Sequence, residues 1–342
     1  MKILICTQAV DRDDPILGFF HAWIEGFSKR AEKITVVCLR KGNYDLPDVE
    51  VIALGEKKKF ARALELLSIA YGRKGEYDVV FVHMNPEYLV AAGWLWKLLG
   101  KKTALWYVHK SKSLLRLAMP FADIILTVSN ETFPIANSKV SAVGHGVDTD
   151  FFHPISAVDN SYRVVSVGRV SPRKNTGVMI DQVLAFARGK HDVRFDVYGT
   201  SVTAEEKKYE TELTTRLPSL DTDEIVTLKG PVSHSAVPSA LLGATVFLNM
   251  GETGGVDKAV LEAMSMGIPV ISTSRAHAPL LARYPQLVAD GADDVPRALQ
   301  YVYALPHTVR TAIGGDLRET VVESHSLPKL IETILWTLSK NK

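Results

Sequence analysis

Apolar and polar residues alternate in blocks along this chain. Short Val/Ile/Leu-rich runs of four to six residues, bounded by Gly, Pro, Asn or Asp, alternate with longer stretches whose apolar residues fall three and four apart. The first kind reads as buried strands and the second as helices with one apolar face. In the first half, strands are predicted at 3–7, 34–39, 78–83 and 103–108, and helices at 18–29, 57–71 and 86–99. In the second half, strands are predicted at 162–167, 193–198, 225–228, 245–248, 270–273 and 287–289. Helices there run from after Asn175 to about 188, over 204–217, up to 242, from 256 to the break at Gly267, and over 293–303 and 328–338.

Strand–helix alternation without a short repeat predicts α/β units with parallel sheets. The length of 342 residues suits two domains. The small, polar stretch 155–161 reads as a linker. The expected organisation is therefore a first domain over 1–154, a second over 162–325 and a terminal segment over 326–342. At 46% hydrophobic and 23% charged residues the chain is ordinary globular protein. A net charge of +2 gives no sign of a nucleic-acid partner. Cys6 and Cys38 both fall in predicted strands, which suggests a reducing, cytoplasmic setting, with one buried bridge between them left open. The N-terminus reads as a strand running into Asp11, Asp13 and Asp14, and no apolar run reaches the ~18 residues of a membrane helix.

Two stretches carry candidate chemistry. In the first, Gly254-Gly255 turns the backbone into a helix that starts near Val256 and carries Glu262 two turns further in. Unpaired backbone N–H groups and the helix dipole make such a start an anion site. In the second, Arg169, Arg173 and Lys174 precede a helix, whose N-terminus repels cations. A diphosphate would offset them, with Arg as a bidentate donor and Lys as a point charge; the alternative is a solvated basic turn. His83 and His109 both stand at C-terminal strand ends, the ligand edge of an open α/β sheet, although a His in such a loop can equally be bonded locally. The Asp11-Arg12-Asp13 spacing lacks the glycine and distal Glu of a calcium loop, so these carboxylates are expected to be solvated or to touch an acceptor. No Gly-x-Gly-x-x-Gly follows the first strand, which argues against a nicotinamide enzyme.

The segment Leu261-Glu262-Ala263-Met264-Ser265-Met266-Gly267-Ile268-Pro269-Val270 resembles the donor motif of family 4 glycosyltransferases, a retaining family with the GT-B fold. Gly168-Arg169 followed by Lys174 matches that family's Gly-Arg-x-x-x-x-Lys, Lys229-Gly230-Pro231-Val232 its Phe-x-Gly-x-Val, and Gly146-Val147-Asp148 through Pro154 its Gly-Val-Asp segment. Phe121 to Ser129 is similar to its Ala-Asp, strand, Ser run. The resemblance implies two doubly wound Rossmann-like domains facing across a cleft, with the terminal helix crossing back to the first.

It further implies that Arg169 and Lys174 hold a donor diphosphate and that His109 faces the cleft. Glu262 would accept from ribose hydroxyls. The loop Gly254, Gly255, Val256, Asp257 and Lys258 would hold the nucleotide sugar, and Gly230 and Val232 would precede the base-binding loop. Gly18 stands at the N-domain glycine loop and, with His83, on the acceptor side. The implied activity is sugar transfer from a nucleoside-diphosphate sugar to a saccharide, lipid-linked or small-molecule acceptor, with retention and without a metal. No general base is assigned.

The chain departs from the pattern in three places. Gly254 replaces the motif's first Glu, a single Gly18 stands where two glycines are usual, and His145 replaces an Asn. The loss at Gly254 leaves open a non-catalytic sugar-nucleotide-binding protein, and an epimerase on the same fold is the other alternative. In an active enzyme, Asp257 is expected to take over the sugar contact or to cap the helix, and Lys258 could pair with Glu262. Finally, residues 57–116 hold twelve basic and four acidic residues, a surplus of eight. Scattered solvated helix ends and a peripheral contact with an anionic membrane both fit that surplus.

Overall fold

The computed structural model describes residues 1–14, 16–109, 111–129, 133–155, 161–220, 225–251 and 255–340. Gly254, Lys110 and most of the expected linker lie outside the described residues. The chain divides into two compact units, Met1–Gly146 with Leu327–Lys342, and Val147–Ser326.

In the first unit the elements run β1 Lys2–Val10, α1 Phe19–Ser28, β2 Lys33–Lys41, β3 Val49–Ala53, α2 Lys59–Gly72, β4 Val79–His83, α3 Glu87–Leu98, β5 Lys102–Trp106, α4 Ser113–Ala118, β6 Ile124–Thr127 and β7 Val140–Ala142. The strands form one sheet in the order β3-β2-β1-β4-β5-β6-β7. Pairing is parallel: Ile5 lies opposite Val36 on one side and Phe81 on the other. A parallel strand covered on both faces needs apolar residues at every position, and β4 (VVFVH) is buried throughout. One layer, α2, α3 and α4, packs over Leu4, Val80 and Leu105. The other is α1 with the terminal helix, α11 in chain order (Leu327–Lys340), over Ile5, Phe81 and Trp106. Cys6 and Cys38 are buried free thiols, so the bridge left open by the sequence is not formed. Burial pushes the Cys38 thiol up to about 11.

The second unit runs β8 Tyr162–Val167, α5 Thr176–Ala187, β9 Val193–Tyr198, α6 Ala204–Arg216, β10 Val226–Gly230, α7 Val237–Leu241, β11 Val246–Asn249, α8 Lys258–Ser265, β12 Val270–Ser272, α9 Val295–Ala304 and α10 His307–His325. Its sheet is parallel in the order β10-β9-β8-β11-β12. The strand order reverses between β8 and β11, so the carboxyl ends of these two strands are where such a sheet accepts a ligand.

The structure differs from the sequence reading in several ways. Residues 147–154 cluster with the second unit rather than closing the first. The cause is a set of anchors: Val147 N–H donates to His325 O at 2.8 Å, Ser265 Oγ to Phe152 O at 2.6 Å, and Arg318 Nη2 to Thr149 O at 3.1 Å. The expected strand at 287–289 is reduced to one bridge, Val288 to Ser272. The edge strands β3 and β7 and the helices α4 and α10 were not anticipated. Helix α10 carries Gly314-Gly315, which disfavours a helix. Gly314 is accommodated because it lies against Gly267 (φ +73°), where a Cβ would come within 1.8 Å of the Gly267 carbonyl oxygen.

Candidate functional site

The carboxyl ends of β8, β9 and β11 are shaped by two glycines. Gly168 N–H donates to Tyr198 O at 2.9 Å and Gly199 N–H to Gly230 O at 2.7 Å. A Cβ on Gly199 (φ +139°) would sit 1.7 Å from Gly168 O, so only glycine lets the strand ends close this tightly. Beyond Gly168, Pro172–Lys174 forms one 3-10 turn, and Asn175 takes a left-handed conformation (φ 54°) before α5. The Asn175 side chain donates to Met250 O at 2.9 Å, tying the turn to the end of β11. A recess results, lined by Gly168, Arg169, Lys174, Thr176, Asn249 and Met250.

Both predicted cations are at this recess, each with a carboxylate of its own. The Lys174 ammonium pairs with the Asp257 carboxylate, and both side chains are largely buried. Asn249 Nδ2 donates to the same oxygen of Asp257 at 3.1 Å. The other oxygen accepts from Ala259 N–H at 3.4 Å, making Asp257 the N-cap of α8. Burial alone would raise the Asp257 carboxyl, but the Lys174 charge and the hydrogen bonds from Lys174 and Asn249 hold it below the usual carboxylate range. Arg169 reaches Glu206 at 3.3 Å and remains half-exposed. Glu206 is itself fixed, accepting from Val202 N–H at 2.9 Å and Thr203 N–H at 3.0 Å in the capping box of α6. The sequence reading expected an external anion to offset these cations; carboxylates of the chain already offset two of the three.

Asp257 is held from its backbone side as well. Its N–H donates to His277 Nε2 at 2.9 Å. An amide N–H can only donate, so Nε2 accepts, the proton sits on Nδ1, and Nδ1 donates to Ser272 Oγ at 2.7 Å. His277 is fully buried, and burial pulls its imidazole down to about 4, so it is neutral. On α8, Glu262 is buried and lies 3.4 Å from His234 Nε2. His234 in turn stacks on Phe151 at 6.0 Å between ring centroids. Burial pulls the Lys258 amine down to about 7, although Glu262 and Asp257 nearby favour its charge. Gly255 and Val256 lead into α8, with Val256 packed on the core. Gly230 (φ +74°) ends β10 and accepts from Gly199, while Val232 packs on the core.

The first-unit residues are separated in role. His83 is 1% exposed, stacks on Phe20 at 3.7 Å between centroids, and has Nδ1 3.2 Å from Thr7 Oγ1. Aromatic packing therefore absorbs it, and it does not present its ring at the sheet edge. His109 is exposed beyond β5, edge-on to Tyr107. Gly18 is the N-cap of α1, with ordinary helical φ; a Cβ there would meet the carbonyls of Arg12 and Asp14 at 2.7 Å. It is a glycine because the acidic loop packs on it. That loop is internally bonded, with Asp14 accepting from Ile16 and Leu17 N–H at 2.8 Å and pairing with Arg40. Among the described residues no group of three or more His, Cys, Asp or Glu side chains is placed to hold a metal.

Residues 161–304, which carry the recess and its partners, match the family described as Glycosyl transferases group 1. That match covers 144 of the 342 residues, all of them in the second unit. Of the curated relatives, the putative colanic acid biosynthesis glycosyltransferase WcaL of Escherichia coli K12 is 27% identical over 173 residues, 46% of this chain and 41% of that protein. The lipopolysaccharide core biosynthesis mannosyltransferase LpsB of Rhizobium meliloti is 23% identical over 50% of this chain and 49% of its own length. The chain thus spans less than half the length of these curated relatives. Among solved structures, Anabaena HepE in complex with UDP and glucose superposes with a TM-score of 0.79 at 16% identity, covering 99% of this chain and 100% of that one. A Rickettsia africae glycosyltransferase does so at 0.75 and 13% identity, covering 100% of each chain. These likenesses show the GT-B fold.

Sequence reasoning missed Asn249, His277, Glu206 and His234 at this site. Asn249 left a trace as a polar residue ending an apolar strand. Glu206 left one as the last residue of a Thr203-Ala204-Glu205-Glu206 capping-box pattern, which marks a helix start but not the partner Arg169; His277 and His234 left none.

Proposed function

We propose that this protein transfers a sugar from a nucleoside-diphosphate sugar to a saccharide or lipid-linked acceptor, with retention at the anomeric carbon. The observation that carries this reading is that Arg169 and Lys174 line one recess at the switch point of the second sheet, with Lys174 and Asn249 of that recess both bonded to Asp257, the N-cap of α8. Cations and oriented N–H groups fixed where negative charge grows on a departing diphosphate stabilise the transition state without reorganising. Lys174 would be shared between Asp257 and that growing charge, and Arg169 would swing from Glu206 onto a phosphate oxygen. Glu262 would accept from the ribose hydroxyls beside His234. His109 is the first-unit side chain proposed to meet the acceptor. The displacement would proceed on one face of the sugar with help from the departing phosphate, and no side chain is assigned as general base. The buried free thiols fit a reducing compartment.

The test is a thermal-shift screen with UDP, GDP, ADP and their sugars, UDP-glucose first because a HepE structure holds it. A ligand confined to the folded state adds about 2.7 kcal/mol at a hundredfold excess over its Kd. Stabilisation by one nucleotide sugar, followed by release of its nucleoside diphosphate, supports the proposal. No stabilisation by any of them refutes it. Binding without transfer or hydrolysis would favour a non-catalytic binding protein, the reading that Gly254 motivates.

A further inference from the structure

We propose that the outer face of the α2–α3 layer of the first unit docks on an anionic lipid bilayer. Helix α2 turns Leu66 and Ala70 to the core. Its opposite side exposes Phe60, Leu64 and Tyr71 at 75%, 52% and 56%. These residues are four and seven apart, so they form one stripe along the helix. Helix α3 packs beside α2 and exposes Trp94 and Leu98 at 50% and 78%, again four apart. Both helices cover the same core cluster and therefore belong to one layer. Single exposed apolar residues are ordinary on a protein surface. Five large ones on two adjoining helices make a patch of the kind that marks an interaction site.

Charge decides the occupant. Lys58, Lys59, Lys74 and Lys97 are exposed on these helices and their ends, with Arg62 partly so. Of the carboxylates nearby, Glu65 pairs with Lys57 at 2.7 Å, and Glu76 with Lys33 at 2.6 Å and Arg73 at 3.6 Å. Glu56, Asp78 and Glu87 are exposed acids at the margins, and Asp78 accepts from Lys2 N–H at 3.0 Å. Lys74 Nζ lies 4.2 Å over the Tyr71 ring, which places an ammonium and an aromatic body at the same level. Aromatic and aliphatic side chains entering at headgroup depth, with lysines on phosphates around them, are the two attractions that hold an amphipathic helix in a membrane interface. The exposed Trp336 lies on α11 in the other layer and takes no part. No helix among the described residues is long and apolar enough to cross a membrane, so this contact would be peripheral. The inference does not depend on the sugar-transfer reading.

The experiment is flotation of the full chain with vesicles of phosphatidylcholine alone and of phosphatidylcholine with phosphatidylglycerol, at low and high salt. Two variants accompany it: Lys58→Glu with Lys59→Glu, and Phe60→Ser with Tyr71→Ser. All four positions are exposed, and unchanged thermal midpoints verify the fold. The wild type should float with anionic but not neutral vesicles, and less at high salt. The charge variant should stay unbound. The apolar variant should bind more weakly and lose all remaining binding at high salt. Failure of the wild type to bind anionic vesicles at low salt overturns the proposal, as does binding that neither variant alters. Concentration-dependent self-association abolished in the apolar variant would assign the face to a second copy of this chain instead, and would equally overturn it.

Discussion

Replacing Asp257 by Asn is expected to tighten, not weaken, the binding of a bare diphosphate. The substitution removes one charge and little else. Asn caps a helix about as well as Asp, so the start of α8 should hold, and an amide oxygen can still accept from Ala259 N–H or from Asn249. Lys174 is different: its ammonium would lose its counter-ion in a pair whose side chains are only 17% and 13% exposed. In the wild type a phosphate must share that ammonium with Asp257; in the variant it takes all of it. A hydrogen bond to a charged group is worth about 1.5–3 kcal/mol, which is roughly ten- to 150-fold in Kd. Relief of repulsion gives the same scale, since two charges about 5 Å apart at an effective dielectric near 20 interact by about 3 kcal/mol.

The gain should be larger for pyrophosphate or a nucleoside diphosphate than for a nucleotide sugar, whose terminal phosphate carries less charge. The same reasoning predicts a lower thermal midpoint without ligand, because removing one partner of a buried pair costs up to about 3–5 kcal/mol. Titration calorimetry with pyrophosphate, UDP and a UDP-sugar on wild type and Asp257→Asn decides the matter. Unchanged or weaker pyrophosphate binding would refute the counter-ion role. Selective loss of the intact donor would instead place Asp257 at the sugar hydroxyls.

Lys174→Ala should lose more donor affinity than Arg169→Ala, which should lose about 1.5–3 kcal/mol; equal losses by calorimetry would contradict the asymmetry of their carboxylates. A chelator should leave turnover unchanged if, as proposed, Arg169 and Lys174 beside the N-cap of α8 offset the donor diphosphate; loss restored by magnesium or manganese would refute this. His277 is neutral in the fold down to about 4 against an ordinary 6.5. The unfolded chain therefore binds its proton first, and the stability it contributes is complete above pH 6.5 and falls away toward pH 4, by about 3 kcal/mol. The thermal midpoint of His277→Gln should be lower at pH 7 and flatter over that window; parallel curves for the two proteins would remove His277 from the linkage.

What the sequence disclosed depended on how local the physics was. The central strands were legible because a strand such as β4 is buried on both faces and reads as one apolar run. The cation turn was legible because Gly168, Arg169 and Lys174 sit within seven residues. The edge strand β7 has only three residues, none of them buried, so it carried no period to detect. Helix α10 was hidden by Gly314-Gly315; the reason for Gly314 is the backbone of Gly267, forty-seven positions away in the chain, while a Cβ on Gly315 would meet nothing within 4 Å. The unit boundary was misplaced because the buried Phe152 looks like an end of the first domain until Ser265 and Arg318 are seen to bond its carbonyl. Asp257 could be weighed as a cap from its place in the first turn, but its pairing with Lys174 spans 83 positions. The same distance problem hid Glu206 and His277.

These pairings make the two cations unequal instruments. Arg169 is half-exposed, and its partner Glu206 keeps two backbone N–H donors whether or not the guanidinium is there. An exposed pair of that kind is worth about 0–1 kcal/mol, so Arg169 can leave it for a phosphate at small cost. Lys174 cannot leave Asp257 without baring a carboxylate that caps α8 beside the very recess the diphosphate would enter. The first cation is therefore free to follow a ligand, and the second is fixed with its charge half-cancelled. A site built this way holds a diphosphate less tightly than two free cations would. That is the disposition expected where a nucleoside diphosphate must depart after every transfer, because an interaction that strengthens only as charge develops accelerates the reaction, whereas one equally strong before and after it merely retains the product.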